Sequence, residues 1–105
     1  MREEPLIVFQ GLRIEIDGRE VLVIYLPFSH IPEDEVKRRQ SILARINQRQ
    51  PVVLVYAKTD RKSDSTLVVA TPPEWKDAIE SRALTFSMLQ KIPIYDEDLR
   101  TQPSA

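Results

Sequence analysis

Leu12-Arg13-Ile14-Glu15-Ile16-Asp17-Gly18-Arg19-Glu20-Val21-Leu22-Val23-Ile24-Tyr25-Leu26 is the stretch that decides the fold. Its first five residues alternate apolar and charged, which puts one face of a strand in a core and the other in water. Asp17-Gly18 is a favoured pair for a two-residue hairpin turn, because both positions must take positive φ. The return strand is apolar on both faces from Val21 to Leu26, as expected of a central strand. Upstream, Leu6 to Phe9 is a short run of β-formers and a candidate edge strand. Gly11 between the two pieces suggests a bulge or bend.

Working outward, Pro27 to Pro32 is a connector. Pro32 with Glu33, Asp34 and Glu35 then supplies a helix start, a proline at the first turn and acids at the positive end of the dipole. The helix runs to about Arg49. Val36, Ile42, Leu43 and Ile46 share one stripe, and Lys37, Ser41, Arg45 and Gln48 lie opposite it. Arg39 falls inside the stripe, where its stem can lie on apolar surface while the charge reaches water. Val52 to Ala57 is a buried strand, Lys58 to Ser65 a polar loop and Thr66 to Thr71 another strand. Thr71-Pro72-Pro73-Glu74 carries a capping-box pattern with proline at the helix start.

The second helix has Trp75, Ala78, Ile79, Ala83, Phe86 and Leu89 on one stripe, but Leu84 and Met88 lie elsewhere. It is either buried on two faces or stops near Arg82 and gives way to extended chain. Ile92-Pro93-Ile94-Tyr95 forms a last strand that proline restricts to an edge or a strand start. A polar C-terminal stretch follows, with residues 99–105 expected to fray. The expectation is one α+β domain over residues 1–105, in the order ββα-ββα(β). Its sheet is mainly antiparallel, and both helices pack on one face.

Composition bounds the function. The 105 residues are enough for one core, with 42% hydrophobic and 30% charged residues. The 15 Lys+Arg and 16 Asp+Glu nearly cancel, so attraction to polyanions must come from a local patch. With no cysteine, thiolate chemistry, disulfides and zinc ribbons are excluded. Gly11 and Gly18 are the only glycines, so dinucleotide and P-loop fingerprints are excluded as well. No serine sits in a nucleophile elbow. Nothing resembles a secretory signal, and a cytoplasmic location is the expectation.

Three sets of residues invite a chemical reading. His30, the single histidine, stands near Glu33, Asp34 and Glu35 and is either a surface residue or a base or metal ligand. Arg38, Arg45 and Arg49, with Ser41 and Gln48 among them, form either a phosphate-gripping face or a solvated one. The loop from Lys58 to Ser65, with Arg61 and Lys62, lacks the glycine and glutamate of a calcium loop and reads as a surface loop that closes on a partner. Trp75, Phe86 and Tyr95 suit core packing better than base stacking.

From Arg49 to Arg100 the succession of strand, strand, helix, Ile92-Pro93-Ile94, acidic residues and Leu99 resembles the soluble switch domain of type III secretion export-gate proteins. Asn47-Gln48-Arg49-Gln50-Pro51 stands where that family has Asn-Pro-Thr-His, and the first hairpin has no counterpart. The resemblance implies shared topology only. The functional expectation is a non-enzymatic protein that binds another protein or itself, without cofactor or metal. The alternatives are a nucleic-acid module using Arg38, Arg45, Arg49, Lys58, Arg61 and Lys62, and a metal-dependent hydrolase or nuclease built on His30.

Overall fold

A computed structural model describes residues 4–26, 31–59 and 64–99. The hairpin forms as expected: β1 (Ile7–Ile16) and β2 (Arg19–Tyr25) pair antiparallel, Ile16 opposite Arg19. Asp17 and Gly18 take φ of 51° and 80° between them. Gly11 introduces no bulge. It is where β1 changes partner, pairing with β2 from Gly11 onward and with β5 (Gln90–Ile94) up to Gly11, which faces both Ile24 and Gln90. The strands approach so closely there that a Cβ would collide with the Val23 carbonyl oxygen. Leu6–Phe9 is therefore no free edge: Ile7 to Phe9 is paired with β5, and the Leu6 N–H donates to the Ile94 carbonyl at 2.7 Å.

Two more strands, β3 (Val52–Ala57) and β4 (Leu67–Thr71), complete a five-stranded sheet in the order β4-β3-β2-β1-β5. Only β2 and β3 are parallel. Helix α1 (Glu33–Asn47) makes the crossover between them. It starts at Pro32 with its three acids in the first turn, without a side-chain cap, and stops two residues short of Arg49.

The expectation of both helices on one face is corrected. Leu22 and Ile24 of β2 belong to a core with Ile42, Leu43 and Ile46 of α1. Val21, Val23 and Tyr25, pointing the other way, belong to a second core with Ile79 of α2 (Lys76–Glu80) and Leu84. The physical reason lies in β2 itself: a strand apolar on both faces needs cover on both. The chain must also cross the whole sheet from β4 to β5, which lie at opposite edges, and α1 already occupies one face.

That second crossing takes the broken form of the two considered. A 3-10 turn at Pro73–Trp75 leads into α2, which ends at Glu80. Neither carries a side-chain cap, and Thr71 belongs to β4, so the capping box does not form. Ala83 at φ 51° then turns the chain out of helix. Leu84 drops into the core, Thr85 bridges Thr66, and Phe86–Met88 makes another 3-10 turn. Phe86 meets Tyr25 edge-to-face at 5.2 Å, a packing role.

Of the stretch expected to fray, residues 100–105 lie outside the described residues, and its first residue, Leu99, is held in place. Asp96–Leu99 forms a last helical turn, α3, and Leu99 is buried in the α1-side core. No helix among the described residues is long and apolar enough to cross a membrane.

Candidate functional site

The helix arginines occupy one flank of α1, and each is spent on main-chain carbonyls of this same chain. Arg38 Nη2 donates to the Leu6 carbonyl at 2.6 Å, while Nη1 lies 3.4 Å from Glu35. Arg45 Nη2 donates to the Leu99 carbonyl at 3.2 Å. Arg49 Nη1 donates to the carbonyls of Glu97 and Asp98 at 3.2 and 2.8 Å. The last carbonyls of a helix have no intrahelical partner and carry the negative end of its dipole. Arg45 and Arg49, one turn apart, satisfy those of α3. At the other end of α3, the Asp98 carboxylate accepts the Tyr95 N–H at 2.8 Å, the backward arm of a capping box. These arginines thus tie both ends of the described chain to α1. Arg39 departs from the snorkelling expectation. Its guanidinium stays 5.6 Å over the ring of the buried Phe9, with Nε buried 3.6 Å from Glu35. The charge is met by a ring face and a carboxylate and not carried out to water.

Lys58 is not brought to this flank. It follows β3, and β3 lies beside the opposite flank of α1, with Leu43 and Ala44 facing Val52 and Leu54. His30, Asp60, Arg61 and Lys62 lie outside the described residues. Among the described residues no group of three His, Cys, Asp or Glu converges as metal ligands would.

A polar cleft of about 290 Å³ opens beside the arginine flank, reached by Arg13, Glu20, Arg49 and Asp98. Arg13 pairs with Glu20 at 3.3 Å, and Arg49 and Asp98 serve the ends of α3. Its charged groups bind one another or the main chain, so it holds no acid–base pair aimed at a substrate.

The other flank of α1 is different. Helix α1 leaves the β3–β4 part of its sheet face bare, and a groove of about 340 Å³ runs there. Leu26, Leu43, Val52, Leu54 and Pro72 form its apolar floor and ends, and Gln40, Ala44, Asn47 and Thr71 its rim. Farther along the same face Tyr56 stands opposite Val68 and is 45% exposed. Among the described residues no charged side chain lines the groove. Gln40, Ala44 and Asn47 recur at i, i+4 and i+7, one side of a helix whose other exposed sides are crowded with charge. That spacing was readable in the sequence, hidden because the arginines drew Ser41 and Gln48 into a supposed anion-binding face.

Donors on both sheet edges are reduced. On β4 the Leu67 N–H donates to the Leu84 carbonyl at 2.9 Å, and the Val69 N–H to the Glu80 carboxylate at 3.2 Å. A hydrogen bond from Lys76, 2.7 Å away, and then the Val69 N–H hold Glu80 below the usual glutamate pKa, and the same pair raises Lys76. On β5 Pro93 has no N–H to offer, and the Tyr95 N–H is taken by Asp98. A partner strand finds few donors on either side.

The chain matches no family model, no curated protein and no solved structure.

Proposed function

We propose that this protein is a non-enzymatic binding module that docks another protein through the groove between α1 and the β3–β4 sheet face. The observation that carries the reading is the groove's lining by described residues: an apolar floor and an amide and hydroxyl rim, with no charged side chain among them. Interface centres are depleted of charge, whereas a solvated helix flank ordinarily carries it. The occupied donors of β4 and the proline on β5 add to this, because they favour docking on a face over addition of a strand. Of the arginines that would grip a polyanion, Arg38, Arg45 and Arg49 are occupied by carbonyls of the chain itself.

The test is a pull-down with wild type beside Leu54→Glu and Ala44→Arg, both judged folded by circular dichroism. Leu54 is half-buried and Ala44 exposed, so each places a charge in the groove without entering the core centre. Partners retained by wild type and lost by both variants are the expected result. Identical capture by all three proteins refutes the groove as the binding surface.

A further inference from the structure

We infer that a second cleft, where α1, β2, β3 and β4 meet at one end of the sheet, binds a free α-amino acid with a large apolar side chain, as its zwitterion. This goes beyond the docking groove and does not rest on it. The cleft holds about 380 Å³, within the range of small-ligand sites, and Arg19, Glu74 and Trp75 line it with Gln48 and Pro51. Topology brings them together. Arg19 opens β2 and Pro51 precedes β3, while Glu74 and Trp75 follow β4, whose end lies beside the start of β3.

The cleft presents charge of both signs that the chain leaves unpaired. Among the described residues neither the Arg19 guanidinium nor the Glu74 carboxylate has a hydrogen bond or an ion pair, although both line the same cleft. Every other described arginine has an acceptor within the chain. The end of α1 adds acceptors. The Asn47 carbonyl would take the N–H four residues on, but residue 51 is proline and has none. The Gln48 carbonyl would take that of Val52, which donates instead to the Asn47 side chain at 3.1 Å. Both carbonyls stand at the negative end of the helix dipole.

A simple anion in this cleft meets Glu74 and the helix end, and a simple cation meets Arg19 and Arg49. A zwitterion answers both. Its carboxylate takes the forked donors of Arg19, and its ammonium takes the Glu74 carboxylate and the α1 carbonyls. A peptide terminus carries only one of these charges. Trp75 selects the side chain: it is half-buried, packed against the α2-side core and also bordering the cleft, so an apolar or aromatic group finds an indole to lie against.

Trp75 is the sole tryptophan, so its fluorescence reports the cleft directly. L-Phenylalanine titrated into the full-length protein should shift the emission saturably, with the same Kd by calorimetry. Phenethylamine and 3-phenylpropanoate keep the ring and lose one charge each, and should bind at least about tenfold more weakly, the loss of one charge-assisted pair. Arg19 and Glu74 are exposed, so both can be replaced without entering the core. Arg19→Gln should bring L-phenylalanine down to the affinity of phenethylamine and leave phenethylamine unchanged. Glu74→Gln should do the same with respect to 3-phenylpropanoate. No saturable response to L-phenylalanine or L-leucine at millimolar concentration overturns the site. Equal affinity for the three ring probes, or variants that keep the wild-type preference, overturns the zwitterion assignment. Neither result bears on the groove, which Leu54→Glu and Ala44→Arg test separately.

Discussion

Replacing Arg49 by alanine distinguishes a clamp from a ligand-binding arginine. The substitution removes two hydrogen bonds, at 3.2 and 2.8 Å, to the carbonyls of Glu97 and Asp98. Both are at an exposed position, so each is given about 0.5–0.75 kcal/mol, the lower part of the range for such bonds. The expected loss is about 1–1.5 kcal/mol, a fall in Tm of about 4–8 °C for a domain of this size. The loss has a ceiling. Arg45 and Arg49 act on the same short helix, and once α3 detaches nothing further is lost there. That ceiling is the burial of Leu99, 7% exposed, at about 2 kcal/mol. Arg45→Ala/Arg49→Ala should therefore cost less than the sum of the single substitutions, and adding Leu99→Ala to the pair should cost little more than Leu99→Ala by itself. Urea denaturation of wild type and the five variants (Arg45→Ala, Arg49→Ala, the pair, Leu99→Ala and all three together) supplies the values. An arginine held ready for phosphate gives the opposite pattern: unchanged or improved stability in Arg49→Ala, and a gel shift that weakens. Stability of Arg49→Ala within about 0.3 kcal/mol of wild type refutes the clamp.

Three further outcomes follow from the same geometry. Gly11→Ala drives a methyl into the Val23 carbonyl and should cost at least about 2 kcal/mol by thermal melting, whereas a bulge glycine would tolerate it. Ile46→Val and Ile79→Val sit in cores on opposite faces of the sheet, so their costs of about 1 kcal/mol each should add within about 0.5 kcal/mol in the double variant; strong coupling would mean the cores touch. Glu80 is held at a lowered pKa by Lys76 and Val69, so what it contributes is present above the ordinary glutamate value and is lost as pH falls through the depressed one. The Val69 amide resonance should shift with a midpoint below that of a free glutamate, and Glu80→Gln should abolish the titration.

The strands were legible because their signals are local. Asp17-Gly18 fixes its turn by φ, and Val21 to Leu26 declares a central strand by having no polar face. The placement of α2 was legible in principle from the same residues, since a strand apolar on both sides cannot leave one of them in water. It was missed because the two helices were placed from their own stripes and not from the strands' demands. The end of α2 is harder. Ala83 carries no breaking residue type, and its φ of 51° is imposed by Leu84 and Thr85 reaching β4, a contact across the sequence that no local propensity encodes.

Charge pattern misled at α1 for a related reason. A row of arginines along a helix looks the same in sequence whether its acceptors are phosphates, carboxylates or carbonyls, and the carbonyl is the one acceptor every residue provides. Arg38, Arg45 and Arg49 find theirs at Leu6, Glu97, Asp98 and Leu99, in segments at either end of the described chain. The balanced composition already pointed this way, because a chain with as many acids as bases has no surplus to spend on a polyanion. What sets α1 apart is therefore the side where charge is missing. Solubility gives a helix no reason to keep Gln40, Ala44 and Asn47 neutral beside a half-buried Leu54, and a neutral neighbour supplies one.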